Sequence, residues 1–187
     1  SSLMNALNNT DRQTIVEMVL YILNKTEGLD YYRLFKTIYF AERSFMVKYG
    51  MRMTKETYSA LPYGPVPQLL YDAIRRIETD RELTEMLWSV IDAGDNDAYY
   101  YLVAKRPSDL NYLSKCATDE LDNAIDQYST KPFGLLKQQT HGLDWQRARR
   151  TQDKAITLED MAVAGGADNA TLEYLKENEE WNRCFAD

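Results

Sequence analysis

Three of the chain's five prolines fall within six residues, Pro62-Tyr63-Gly64-Pro65-Val66-Pro67, and this stretch constrains the fold more than any other. Each proline removes an amide donor and biases the residue before it towards extended backbone, so no helix can pass and a rigid, largely predetermined turn is expected. Just before it, Thr57 and Tyr58 favour a short extended segment over 56–61. Just after it, Gln68 to Thr79 reads as a helix with Leu69, Leu70, Ala73, Ile74 and Ile77 turned inward.

Helical patterns flank this turn on both sides. Thr10-Asp11-Arg12-Gln13 has the form of a capping box, followed by an apolar stripe of Ile15, Val16, Val19, Leu20, Ile22 and Leu23 that runs until Gly28 supplies a stop. Asp30 caps a second helix, which ends near Tyr49 with Gly50 as its terminal residue. On that helix Tyr31, Leu34, Ile38, Ala41, Phe45 and Tyr49 share one face, while Lys36, Phe40, Arg43 and Val47 share the opposite one. The second face sets an aromatic ring between two cations, which calls for something to cover it.

Residues 82–92 are ambiguous between helix and strand. Trp88 to Asp92 is expected to pair with Tyr99 to Arg106 across the turn-rich Gly94-Asp95-Asn96-Asp97, and the Thr57 segment could join that sheet. Further helices are expected from Thr118 to Tyr128, from Pro132 to Thr140, from Trp145 to Arg150 and from Thr157 to a break at Gly165-Gly166. A last helix, Ala170 to Phe185, presents Leu172, Leu175 and Trp181 among many carboxylates. With no repeat or linker, the expectation is one domain over 1–187 of the α+β class, mainly α-helical, in which a compact helical body carries a small antiparallel sheet or hairpin.

Composition narrows the function. Of 187 residues, 44% are hydrophobic, enough to build a core. Twenty-nine acidic against twenty-two basic side chains give a net charge of −7, which opposes phosphate backbones and anionic lipid and makes nucleic acid an unlikely partner. No run approaches the roughly 20 apolar residues of a membrane helix, and the first residues lack the basic and apolar regions of a secretory signal. A soluble, cytoplasmic protein is expected, with Cys116 and Cys184 as reduced thiols. Fourteen tyrosines mean either a contact surface or a polar-tipped margin of the core.

Reactive constellations are sparse. His141 is the only histidine, no nucleophile elbow accompanies it, and a structural role is the commoner fate of a lone imidazole. One His and two distant Cys do not group into a metal site, Gly165-Gly166 lacks the context of a phosphate-binding loop, and the carboxylates show no metal or glycosidase spacing. No metal and no cofactor are therefore expected. The basic cluster Arg147, Arg149, Arg150 and Lys154 fits an anion site or a solvated helix end equally well.

The segments Leu34-Phe35-Lys36-Thr37-Ile38-Tyr39-Phe40-Ala41-Glu42, Gly50, Tyr63-Gly64-Pro65-Val66-Pro67 and Leu70-Tyr71-Asp72-Ala73 resemble the Panacea antitoxin domain family, which includes SocA-like antitoxins and phage-associated proteins. Leu135, Thr140-His141 and Trp145-x-x-Ala148 look like its later motif, so the likeness covers about 11–161 and leaves an acidic extension after Gly165. The sequence departs from the pattern at Leu61-Pro62, where an aromatic commonly precedes the Tyr-Gly-Pro. A DNA-binding domain, which some members add, is not apparent in 1–187.

The resemblance implies a non-enzymatic antitoxin that neutralises a cognate toxin by direct binding. Its residues implied for partner binding are Lys36, Phe40, Arg43, Tyr63, Gly64, Pro65, His141 and Trp145, expected to converge around the turn. The alternative for this set is structural, with Lys36 and His141 tying the turn to the core by hydrogen bonds. Two other functions stay open: an adaptor delivering a toxin to an AAA+ protease, and a hydrolase using His141 with Asp144.

Overall fold

The computed structural model describes residues 7–94 and 101–185, without the side chains of the final two. Helix α1 (Asn9–Thr26) starts two residues before the expected box. Asn8 is the cap, its side chain accepting from the Asp11 amide while the Asp11 carboxylate accepts from the Asn8 amide. Thr10 is already helical, since its carbonyl accepts from the Thr14 hydroxyl. The helix ends with Glu27 itself in the left-handed region, at φ 58°, ahead of Gly28.

After the two-residue strand β1 (Leu29–Asp30), helix α2 (Tyr31–Tyr49) is bounded by Asp30 and Gly50 as expected. Every residue from Leu34 to Glu42 is buried, so α2 is the central helix and has no free face over that length. The Lys36/Phe40/Arg43 side was expected to need a cover. The chain itself supplies it: α5 (Lys115–Tyr128) packs there, with the Tyr128 ring stacked on Phe40 at 3.8 Å between centroids.

The strands form two three-stranded antiparallel sheets among the described residues. Strands β2 (Tyr58–Leu61) and β3 (Gly64–Pro67) make a hairpin whose turn is Pro62-Tyr63, with Leu61 opposite Gly64 and Tyr58 opposite Pro67. Pro65 and Pro67 cannot donate, which confines β3 to the edge. The far side of β2 pairs with β6 (Ala155–Ile156). The Thr57 segment thus does not join the sheet at 91–104, because its two edges are filled by the proline strand and β6. In the other sheet, β4 (Ile91–Ala93) pairs with β5 (Tyr101–Ala104), and β1 covers β5 on its other side. The turn expected at 95–97, with Tyr99 and Tyr100, lies outside the described residues.

Helix α3 (Gln68–Ile74) stops short of Thr79 because Arg76 adopts φ 57°, which leaves Ile77 46% exposed rather than inward. The ambiguous stretch resolves into α4 (Arg81–Trp88) and then β4. Helix α5 starts earlier than expected, at the Ser114 cap, since the Thr118 hydroxyl turns back onto the Lys115 carbonyl. Then come α6 (Phe133–Thr140), α7 (Leu143–Arg149), α8 (Leu158–Ala164) capped by Thr157, and α9 (Asn169–Phe185). Helix α9 rests against α2 and α8, burying Leu175, and the carboxylate of Glu179 pairs with Arg52 at 2.7 Å. Trp181, by contrast, stays 63% exposed.

Two fully buried carboxyls organise the irregular chain between α2 and α3. Glu42 accepts from the Met53 and Thr54 amides, at 2.6 and 3.3 Å. Glu56 accepts from the Thr57, Leu69 and Leu70 amides at 2.8–3.0 Å, and so caps α3, whose own cap position is Pro67 and offers no side-chain acceptor. Burial pushes both carboxyls up to about 7, against the pull of the amides, with Glu42 adding repulsion at Glu56. Replacing Glu56 by Ala strips three amides of their acceptor, one of them at the buried Leu70. Glu56→Ala is expected to cost about 3 kcal/mol and to lower the melting temperature by roughly 6–12 °C, read by thermal denaturation.

Candidate functional site

The β2–β3 hairpin is held by its backbone oxygens. The Ala60 carbonyl accepts from the Arg149 guanidinium at 2.9 Å and the Leu61 carbonyl from the Trp145 indole at 2.7 Å. The Tyr63 carbonyl accepts from the Tyr32 hydroxyl at 2.9 Å, and the Pro65 carbonyl from Lys36 Nζ at 2.6 Å. Two of these donors stand on α2 and two on α7, so the hairpin is clamped between elements far apart in sequence. Gly64 adopts φ 121°, and a Cβ there would sit 2.6 Å from the Thr140 hydroxyl and 3.1 Å from Lys36 Nζ.

Between this hairpin, α2 and the start of α6 lies a groove of about 580 Å3. Phe35 and Val66 form a buried floor, and Tyr31, Tyr32, Leu61 and Tyr71 form half-buried walls. Tyr63 and Phe133 stand at the rim, 65% and 51% exposed. Phe133 is steadied by the Arg33 guanidinium 4.2 Å from its centroid and by the edge of Tyr32 at 5.0 Å. The lining includes three cations, Lys36, Arg75 and Lys137, and no carboxylate.

Of the residues expected to converge, Lys36, Tyr63 and Gly64 do line the groove, and Pro65 lies behind it through its bond to Lys36. Trp145 supports the hairpin from the far side. Phe40 is buried against Tyr128, and Arg43 lies over the rings of Tyr39 and Phe40 and beneath Gly165, so neither reaches the groove. His141 stacks flat on Trp145 at 3.7 Å; contrary to the expected hydrogen-bonded tie, its buried Nε2 has no partner among the described residues. Burial first, then the charges of Lys137 and Lys36, hold its pKa down.

Asp144, the other half of the hydrolase pair, is turned away from that imidazole. Its carboxylate accepts from the Tyr39 hydroxyl and, at 2.8 Å, from the Trp145 amide. Desolvation and the negative charge of Asp144 keep the Tyr39 phenol protonated. The basic cluster is largely spent on the fold: Arg147 pairs with Asp160 at 2.7 Å, Arg149 binds Ala60, and Lys154 Nζ donates to the Arg149 and Thr151 carbonyls. Cys116 is a free, exposed thiol. Among the described residues no group of acids, histidines and cysteines could hold a metal ion, and no helix is long and apolar enough to cross a membrane.

The groove also contains residues that the sequence pattern does not single out. Tyr32 and Phe133 had no helical face to mark them, and Arg75 and Lys137 read as ordinary surface charge. Only folding places them at one opening.

The model of the SocA-like antitoxin family, Panacea domain, matches residues 34–146, more than half of the chain. The chain therefore belongs to this family, and the match spans the whole groove lining except Tyr31 and Tyr32. No curated protein and no solved structure matches it. Family membership implies a toxin as partner and gives no support to an AAA+ protease.

Two outcomes follow from this geometry. Gly64→Ala is expected to cost at least about 2 kcal/mol from the strained φ alone, visible as a lower denaturant midpoint. Lys36 is the second case: its burial lowers the pKa from 10.5 to about 7 in the folded chain. Between those values the unfolded chain binds the extra proton, so the folded state gains stability as pH rises from about 7, and that gain is gone once pH has fallen back to about 7. The wild-type melting temperature should thus gain on that of Lys36→Met between about pH 7 and about pH 10. Parallel curves for the two proteins would contradict it.

Proposed function

We propose that this protein neutralises a cognate toxin by binding it directly, without catalysing a reaction, and that the groove beside the proline hairpin is the contact surface. The observation that carries this reading is a pair of exposed aromatic rings, Tyr63 and Phe133, on the lip of an apolar groove whose walls are already fixed. Aromatic anchors over an apolar pocket are the groups that supply most of the affinity in protein interfaces. A hairpin clamped at four carbonyls loses little freedom on binding, which leaves more of the contact energy as affinity. Family membership supports a toxin as the partner.

Gly64, Pro65 and Trp145 then act by setting the shape of the surface, Lys36 both by holding the hairpin and by lining the groove, and Tyr63 by touching the toxin. Phe40 and Arg43 serve the interior. The test is co-expression with the product of the adjacent gene. The neighbour is expected to arrest growth alone and to be harmless beside this protein; a neighbour that is harmless alone, or lethal in both cases, would overturn the reading. The double variant Tyr63→Ala/Phe133→Ala alters exposed rings and should change stability by no more than about 1 kcal/mol, yet restore toxicity. Full neutralisation by that folded variant would remove the groove from the proposal.

A further inference from the structure

The three cations of the groove, Lys36, Arg75 and Lys137, form no ion pair among the described residues, whereas Arg33, stacked on the rim residue Phe133, holds Asp30 at 2.7 Å. Arg75 and Lys137 are exposed and lie over the rings of Tyr71 and Tyr63, at 5.3 and 5.4 Å from their centroids. Lys36 is the more unusual. Its side chain is 1% exposed and lines the groove, and its amino group donates to one hydrogen-bond acceptor, the Pro65 carbonyl, with the Tyr32 ring centroid 4.8 Å away. A buried ammonium is normally paired, because the desolvation it suffers needs a compensating charge.

The surroundings complete the picture. On a chain of net charge −7, the groove lining is a local reversal of sign, with three cations and no carboxylate. An approaching anion is repelled by most of the surface and attracted here. The apolar floor and aromatic rim favour a large apolar side chain, while the cations favour a negative group close beside it. The volume, about 580 Å3, lies in the range that suits a few side chains and is open along one side, as a segment of a larger molecule requires.

Building on the toxin-binding reading, we infer that the groove receives an acidic apolar segment of the toxin, whose large apolar side chain rests on Phe35 and Val66 while a neighbouring carboxylate meets Lys36, Arg75 and Lys137. The carboxylate supplies the missing counter-charge, and the spare donors of Lys36 gain an acceptor.

The probes are two blocked tripeptides, N-acetyl-Leu-Phe-Glu-amide and N-acetyl-Leu-Phe-Gln-amide, which differ in one charge and hardly in shape. Each is titrated into the full 15N-labelled chain. The Glu peptide is expected to move the amides of Tyr32, Tyr63 and Gly64 and to bind at least tenfold more tightly than the Gln peptide. The double variant Arg75→Gln/Lys137→Gln, which changes exposed side chains only, should remove most of the Glu peptide's advantage over its Gln partner. Equal binding of the two peptides to the wild type, shifts confined to other surfaces, or no shift at millimolar peptide would overturn the inference. Its failure is separable from that of the toxin-binding reading. A double variant that still protects cells fully sinks the acidic segment and leaves neutralisation standing, and a neighbour that is harmless alone removes the toxin while leaving the peptide result intact.

Discussion

The structure turns on the capture of backbone oxygens. A hairpin with prolines in its turn and on its edge strand has few amides to spare and cannot be secured by a broad sheet, since β3 has no donors at Pro65 and Pro67. What secures it instead is a set of side-chain donors, Lys36 and Tyr32 from α2 and Trp145 and Arg149 from α7, each on a different carbonyl. The central helix can supply two of them because it is buried almost all round, with α5 covering its other side. The groove is a by-product of that arrangement: the hairpin stands off α2 at the length of a lysine side chain, and the gap is walled by aromatic rings.

The same economy appears at the second junction. The chain from Met51 to Thr57 has no regular structure, and Glu42 and Glu56 take the place of a ladder by accepting from five amides across α2, the loop and α3. Both are buried without a close cation, and Arg52 acts on Glu42 only at a distance. At this junction acids accept from main-chain amides, while at the hairpin Lys36 donates to a main-chain carbonyl. Each is an ionisable group spent on the main chain.

Much of the fold was legible in sequence where local physics decides it. Asp30 and Gly50 bound α2, three prolines forced an extended turn, and Thr157 capped α8. The expected caps Thr10 and Thr118 gave way to Asn8 and Ser114, because each of these residues can hydrogen-bond the backbone and only the packed helix chooses. Strand partners were less legible still. The Thr57 segment has no local signal for β6, which joins it from Ala155 and Ile156. At the site, the turn residues and Lys36 were readable as a group, but the reading of Phe40 as surface was not sustained, since its cover, Tyr128, comes from another helix. The rim partner Phe133 and the cations Arg75 and Lys137 carried no pattern at all.

Because the clamps grip main-chain oxygens, they are indifferent to what side chain the gripped residue carries. Tyr63 can be exchanged for another residue and still present its carbonyl to Tyr32, as can Leu61 to Trp145. Glycine at 64 is fixed by its backbone angle, but the position before it is not. The hairpin is in this sense a chassis with an interchangeable tip: the side chain at 63 can change while the frame beneath keeps its form.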